Sequence, residues 1–275
     1  MQDMPNTSRL HLAPESMRVR AIFLSDIHLG TRSAQAASLL ELLRVVETDV
    51  IYLVGDIVDL WKVRRGPHWP QSHNDVVQKL LRKARKGAEI IFIPGNHDEG
   101  LRDYCGMQFG GVRLERTTIH TTAAGRRYVV MHGDEFDVVV RTAKWVAFLG
   151  DRGYEAALWM NTPLNWVRRR LGLGFWSLSA YLKYRVKKAV SFIGSYEEAV
   201  AAEARRHGAD GIVCGHIHHA ADRTIDGVHY LNCGDWVESC TALIETLDGE
   251  MRLLHWPLAA PGPVPQSRLP VGATA

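Results

Sequence analysis

The chain has 275 residues, 46% of them hydrophobic and 23% charged, with a formal net charge of +3. That length accommodates one large domain or two small ones, and the composition excludes disorder, collagen and low-complexity repeats for the bulk of the chain. No run approaches the ~18 apolar residues of a membrane-spanning helix, and residues 1–17, broken by Pro5 and Pro14, carry no apolar core of signal-peptide type.

In chain order, residues 1–17 read as a disordered segment. Residues 19–24 (VRAIFL) form a short apolar run that predicts a buried strand ending at Ser25-Asp26, and Leu39, Leu40, Leu42, Leu43 and Val46 suit a helix over 34–46 packed on it. Residues 50–54 (VIYLV) predict a second strand, stopping at Gly55-Asp56. A basic helix over 74–86 closes at Gly87, a residue suited to a C-terminal cap. Residues 89–93 (EIIFI) predict a third strand, followed by Pro94-Gly95-Asn96-His97-Asp98. This alternation implies an α/β fold with parallel strands. Two short strands then flank Ala124-Gly125, the second ending at His132-Gly133-Asp134. Another, 211–214, ends at Gly215-His216, and Asp226-Gly227 and Asp248-Gly249 read as hairpin turns. From about 138 to 207 the pattern is helical, with Ser195 and Glu198 forming a capping box for the last helix. The stretch 258–275 is proline-rich and reads as a disordered tail. Cys105, Cys214, Cys233 and Cys240 form no C-x-x-C pair and no disulfide framework, which suits a reducing compartment.

The chemistry lies at the strand ends. Five predicted strands stop at Asp26-Ile27-His28, Gly55-Asp56, Gly95-Asn96-His97-Asp98, His132-Gly133-Asp134 and Gly215-His216-Ile217-His218. In open α/β sheets the carboxyl ends of strands converge on one crevice. If the backbone stays extended, i, i+2 pairs such as Asp26/His28 and His216/His218 project to one side and grip from one direction. Carboxylate, imidazole and amide without thiolate suit Mn²⁺, Fe²⁺ or Zn²⁺. A single D-x-H is an ordinary polar pair, but five such elements in order point to a metal centre. Elsewhere, Asp98 reads as structural, Asp134 as a neighbour of ligands, Cys214 as a small core residue and His219 as a surface histidine.

These motifs resemble those of the calcineurin-like metallophosphoesterases: D-x-H at 26–28, G-D-x-x-D at 55–59, G-N-H-D at 95–98, His132 and G-H-x-H at 215–218. The likeness spans roughly 18–245. It implies an αββα four-layer sandwich over 18–257 and two divalent cations, with Mn the first choice. Asp26, His28, Asp56 and His218 would hold one cation, and Asp56, Asn96, His132 and His216 the other. It also implies that His97 contacts the phosphoryl oxygens and can protonate the leaving group, oriented by Asp59, which read by itself could equally be an ordinary turn carboxylate. Arg32, Arg64 and Arg65 follow these motifs and could equally meet a phosphate or be solvated loop charges.

The insertion between His132 and Gly215, a helical lid over about 138–194, bears on the substrate. Residues 140–194 hold ten basic side chains against Asp151 and Glu155, and four of the chain's eight tryptophans. Phe175, Leu178, Leu182, Val186, Ala189 and Ile193 make one apolar helical face, and Lys183, Arg185, Lys187 and Lys188 leave it. The face suits either a helix packed on the core or a basic amphipathic element at an anionic membrane. The arrangement is similar to the UDP-2,3-diacylglucosamine pyrophosphatases of lipid A synthesis, as are HGDEFD at 132–137, GDIVDLW at 55–61 and NCGDWVES at 232–239. That resemblance implies a nucleotide-linked glycolipid substrate, release of UMP, and a cytoplasmic enzyme peripheral on the inner face of the bacterial inner membrane. Arg32, Lys183 and Arg185 are the candidate substrate-binding residues. One position departs from it: His97 stands where those enzymes carry Arg, and His can transfer a proton whereas Arg is a fixed cation. A soluble phosphodiesterase acting on nucleotides or nucleic acid, and a non-catalytic binding module of the same fold, are the alternatives. The oligomeric state is not legible.

Overall fold

Alternation along the first strand divides the molecule into layers. The computed structural model describes residues 16–66, 68–139, 151–173 and 176–257. In β1 (Met17–Leu24), Ile22 and Leu24 face one apolar layer and Ala21 and Phe23 the opposite one, the period-2 consequence of a strand buried on both faces. β1 pairs in parallel with β2 (Val46–Val54), β2 with β3 (Glu89–Ile93), and β3 with the short β5 (Val112–Leu114). β4 (Gln108–Phe109) closes one edge. β11 (Thr241–Glu245) and β12 (Met251–His255) close the other, giving a seven-stranded sheet in the order β12-β11-β1-β2-β3-β5-β4. A second, five-stranded sheet has the order β6-β7-β8-β10-β9, with β6 (Thr118–Thr121), β7 (Arg127–Val130), β8 (Gly211–Cys214), β9 (Ala221–Ile225) and β10 (Val228–Asn232). Its central strands β7, β8 and β10 are parallel.

Three apolar clusters define the four layers. Helices α1 (Ala36–Val45) and α3 (Gln71–Arg85) cover the outer face of the first sheet through Leu39, Leu42, Leu43, Val76 and Leu80. Between the sheets lie Phe23, Tyr52, Ile91 and Leu243 from one side and Tyr128, Val130, Val213 and Leu231 from the other. Phe23 stacks on its cross-strand partner Tyr52 with ring centroids 4.6 Å apart. The last turns of α5 (Leu178–Arg206) cover the second sheet with Tyr196, Val200, Ala201 and Ala204. Fully burying each such large side chain contributes ~1.5–3 kcal/mol. The expected αββα sandwich is therefore the observed one.

The insertion contains two helices, α4 (Asp151–Arg170) and α5. The turn between them is closed by asparagines: Asn165 donates to the Trp176 carbonyl at 2.7 Å and accepts from its N–H at 2.9 Å, and Asn161 accepts from the Leu178 N–H at 2.7 Å. The expected capping box is not there. Ser195 lies inside α5, which runs unbroken for 29 residues, so the Ser195/Glu198 spacing marks one helix face and no helix start. Phe175, which opens the expected apolar stripe, and the side chains of Leu182, Val186 and Ala189 lie outside the described residues, as do residues 1–15 and the tail from 258. Among the described residues, no helix is long and apolar enough to cross a membrane.

Candidate metal centre

The backbone that carries the site is unusual before any side chain is considered. Of seven non-glycine residues with positive φ among the described residues, five are Asp26, His28, Asp56, His216 and His218, with φ between 52° and 71°. The i, i+2 pairs therefore do not converge by extended geometry, as the sequence suggests. Each strand ends in a left-handed kink that turns both side chains inward. Such conformations cost on the order of 1 kcal/mol or more each and persist only where the surroundings over-determine them. Here the loops after β1 and β2 are stitched together. The Asp26 N–H donates to the Gly55 carbonyl at 3.0 Å, His28 N–H to Asp56 at 2.9 Å and Leu29 N–H to Ile57 at 2.9 Å. Two motif glycines have a steric reason. A Cβ on Gly215 would come 1.8 Å from Ser25 Oγ, and one on Gly95 would come 2.3 Å from Asp56 Oδ1.

The expected ligands form two adjoining groups, and His28, Asp59 and His97 form a third that overlaps them. Asp26, His28 and His218 make one, with His28 Nε2 3.3 Å from His218 Nε2 and Asp26 Oδ1 3.1 Å from His218 Nε2. Asp56, His132 and His216 make the other, with His132 Nε2 3.6 Å from Asp56 Oδ2. Asp56 Oδ2 is also 3.8 Å from His28 Nε2, so this carboxylate lies between the groups. The remaining lone pairs are fixed by backbone. Asp26 Oδ2 accepts from the His216 N–H at 2.9 Å, and Asp56 Oδ1 from the His97 N–H at 2.8 Å. His132 Nδ1 sits 2.9 Å from the Val54 carbonyl, which turns Nε2 toward Asp56.

Six buried polar atoms among the described residues have no aligned hydrogen-bond partner: His97 Nδ1, the Trp236 and Trp256 indole nitrogens, and three on the expected cation ligands, Asp26 Oδ1, Asn96 Oδ1 and His132 Nε2. Buried polar groups are normally satisfied, and these three carry the donor types that suit a divalent cation. The buried carboxylates also set the charge of the imidazoles beside them. Burial opposes charge on His132, yet Asp56 outweighs it and raises the imidazole to about 10. Burial likewise opposes charge on His28, but Asp26 and Asp59 raise it to about 9. Burial also opposes ionisation of Asp26, and His218 and His28 overcome it and hold the carboxyl well below its usual range. Carboxylates buried this deeply need positive charge at their centre, and the donor set fits two cations sharing Asp56.

His97 lies beside these groups. Its Nδ1 is 3.1 Å from Asp59 Oδ2, its Nε2 is 4.0 Å from Asp56 Oδ2, and its ring packs on Trp61 with centroids 4.3 Å apart. Asp59 unites two readings that the sequence leaves open. It is the N-cap of α2 (Leu60–Arg65), accepting from the Lys62 N–H at 2.8 Å, and it also contacts His97. Despite burial, contacts from His28, the Lys62 N–H and His97 hold its carboxyl below the ordinary range. Trp61, which sequence reasoning missed, is half exposed and lies on the same helix. Its position two residues after Asp59 was the available signal.

Arg32 is exposed and lines a cleft of about 540 Å³ together with His28, Asp59, His97 and His218; Thr31, Lys62 and His68 also line it and were not anticipated. Arg64 and Arg65 flank Trp61 on an adjacent surface. Lys183 and Arg185 fall on α5, but their side chains lie outside the described residues. Asp98 is structural as expected: it is buried and accepts from the Gly95 N–H at 2.6 Å and the Ile57 N–H at 2.8 Å. Asp134 is held by Arg102 at 2.6 Å.

A family profile described as calcineurin-like phosphoesterase matches residues 19–220. A protein of Aeromonas salmonicida named UDP-2,3-diacylglucosamine hydrolase is 28% identical over 84% of this chain and 91% of its own length. A Neisseria meningitidis serogroup B protein of the same name is 27% identical over 84% of this chain and 95% of its own. Among solved structures, a Vps29 variant from Entamoeba histolytica aligns over 86% of this chain and 98% of its own, with TM-score 0.40 and 14% identity.

Proposed function

The chain belongs to the calcineurin-like phosphoesterase family, and from that premise we propose that it hydrolyses a nucleotide-linked glycolipid of the UDP-2,3-diacylglucosamine type. Attack at the α-phosphorus would release UMP and a diacylated sugar phosphate. The family, and the hydrolase names of relatives matched over most of their length, make the chain a metal-dependent phosphoesterase. The observation that carries the finer reading is the match, over most of both chains, to relatives bearing that substrate in their name.

In this reading Asp26, His28, Asp56 and His218 hold one cation, and Asp56, Asn96, His132 and His216 hold the other. Manganese is the first choice, with iron or zinc as the alternatives. When bound, such a pair lowers the pKa of an attacking water and neutralises phosphoryl oxygens. The chain's own side chains do the rest. Asp59 Oδ2 lies 3.1 Å from His97 Nδ1 and can orient the ring, and Trp61 closes one face of it. His97 Nε2 then points to the crevice, where it can contact a phosphoryl oxygen or give a proton to the departing oxygen. Arg32 on the cleft wall adds a fixed cation for the second phosphate.

We further propose that the tip of the α4–α5 hairpin docks on an anionic membrane from the cytoplasmic side, which would place the enzyme where an acylated substrate resides. Trp166 and Leu171 are 57% and 68% exposed beside Arg168, Arg169 and Arg170, and Trp159, further back on α4, is 78% exposed. Interfacial tryptophan with arginine is the combination that membranes select. Salt should release the protein from phosphatidylglycerol vesicles, and joint Trp159→Ser, Trp166→Ser and Leu171→Ser substitution should abolish vesicle sedimentation. Retained sedimentation would remove the docking proposal.

The substrate test is a Mn²⁺-dependent panel of UDP-2,3-diacylglucosamine, UDP-sugars, bis-p-nitrophenyl phosphate and single-stranded DNA. UMP release from the diacylated substrate should dominate. Faster cleavage of DNA or of unacylated nucleotides would give the function to a soluble phosphodiesterase.

A further inference from the structure

The parallel strands of the first sheet have a second end, and cations gather there. A cavity of about 730 Å³ is lined by Arg18 at the start of β1, Val46, Glu47 and Thr48 at the start of β2, Ala88 before β3, Leu40 and Arg44 of α1, and Asp75, Lys79, Arg82, Lys83 and Lys86 of α3 and its cap. Thr48 and Asp56 lie on one strand and its exit. Eight residues at ~3.3 Å each put the cavity roughly 26 Å from the metal crevice.

Its charge is poorly matched. Six cations face two carboxylates, and Asp49 pairs with Arg18 at 2.6 Å. Among the described residues, Arg44, Lys79, Arg82, Lys83 and Lys86 have no carboxylate within 4 Å. Two helix C-termini end here and explain part of the excess, since Arg44 closes α1 and Arg82 and Lys83 close α3. Each terminus offers about half a negative charge, so together they offset roughly one of these cations. The rest face one another across a concave surface. Burial pushes the Lys83 ammonium down to about 8, helped by Lys79, and burial with Lys86, Arg82 and Arg44 lowers Lys79 as well. Lys83 donates to the Val46 carbonyl at 2.5 Å, which fixes its head at the cavity wall and leaves two further N–H donors.

We propose that this cavity is a second anion site, taking a free molecule that carries two or more phosphate groups. The uncompensated charge calls for a multivalent anion, and phosphate oxygens satisfy convergent Lys and Arg donors. A concave pocket of this volume admits a soluble molecule, whereas a flat bilayer would meet only its rim. The site is independent of the cation ligands and of the identity of the hydrolysed substrate.

The probe is inorganic tripolyphosphate, titrated calorimetrically into the full chain in excess Mg²⁺ so that it does not strip ions from the crevice. The parent protein should bind it, and Asp56→Asn should bind it equally well. Joint Lys79→Gln, Lys83→Gln and Lys86→Gln substitution should weaken binding about tenfold or more, the equivalent of a few charge-assisted contacts. The corresponding Lys→Arg triple variant, which keeps the charges, should restore it, and this comparison separates lost binding from lost folding. Binding that vanishes in Asp56→Asn but survives the glutamine variant would place the anion in the crevice and overturn the proposal. So would an arginine variant that binds no better than the glutamine one. Lysine-dependent sedimentation with phosphatidylglycerol vesicles, without tripolyphosphate binding, would make this a membrane surface and overturn it too.

Discussion

The two ends of the first sheet's parallel strands are built on different principles. At the carboxyl end, Asp26 and Asp56 are almost wholly buried, their spare lone pairs are fixed by backbone N–H groups, and the chain adopts left-handed kinks to aim them. At the amino end most of the charged groups are lysines and arginines on long stems, half buried or exposed, and all of these but Arg18 of β1 lie on ordinary helix turns or a helix cap. One end is organised for geometry and tolerates almost no displacement. The other is organised for charge, and its side chains adapt. Function requiring ångström placement is therefore expected at the first, and recognition by charge at the second.

The largest effect that would test this contrast is Asp56→Asn. Because this carboxylate lies between both ligand groups, the variant should lose both cations by elemental analysis and roughly 10³-fold or more in turnover. One retained ion with near-parental activity would break the shared-carboxylate account. Next is His97→Ala, which should keep both ions yet lose about 10²-fold or more in kcat. Good leaving groups such as p-nitrophenyl esters should suffer less if His97 donates a proton. Equal losses would assign it to charge stabilisation. His97→Arg is the companion, and faster diacylglucosamine cleavage by it would strengthen the lipid reading.

Gly215→Ala tests the geometric end without removing a ligand. The added methyl meets Ser25 Oγ and Asp26 Oδ2, so a cost of ~1–3 kcal/mol is expected, read as a melting midpoint several degrees lower. An unchanged midpoint would show that the loops are slacker than their contacts imply. A smaller effect is a pH dependence. His73 of α3 is buried and accepts the Gly30 N–H at 3.1 Å through Nδ1, just beyond the D-x-H loop. Burial, with His68 nearby, lowers its pKa from 6.5. Its neutral form is thus favoured in the folded state. Its contribution is whole above about pH 6.5 and is lost as pH falls below that value, where the unfolded chain takes the proton first. Parent and His73→Gln unfolding curves should converge on acidification; a constant difference would contradict this. The smallest effect belongs to the amino end. The triple lysine-to-glutamine variant should hydrolyse bis-p-nitrophenyl phosphate at the parental rate, and a large loss would couple the two ends.

Much of this was legible from the sequence, for identifiable reasons. Strands 89–93 and 211–214 were readable to the residue because each is a short run, apolar but for Glu89, that ends at a turn-forming sequence. β2 begins four residues before its apolar run, since Glu47 and Asp49 are exposed while Val46 and Thr48 point inward. The order of ligand types was visible. The left-handed kinks that aim them were not, because Asp and His tolerate such φ values without advertising them. The Ser195 spacing misled because a capping pattern inside a long helix carries no signal of its surroundings. Trp61 was missed because its role depends on the fold bringing His97 from another loop against it.

The Phe23–Tyr52 stack has a reach beyond the core it fills. Asp26, His28, Asp56 and Asn96 leave the first sheet, whereas His132, His216 and His218 leave the second. The candidate metal crevice is therefore a seam, and the apolar layer between the sheets is the shim that sets its gauge. At the far end Tyr52 Oη meets His120 Nδ1 at 3.0 Å, and His120 Nε2 meets Glu245 at 2.9 Å, so one sheet is pinned to the other by a polar bracket. Interiors are close-packed and transmit small volume changes. A methyl added or removed around Phe23 should therefore alter the spacing between the two halves of the ligand set without touching a ligand, and thereby shift which divalent ion the crevice prefers.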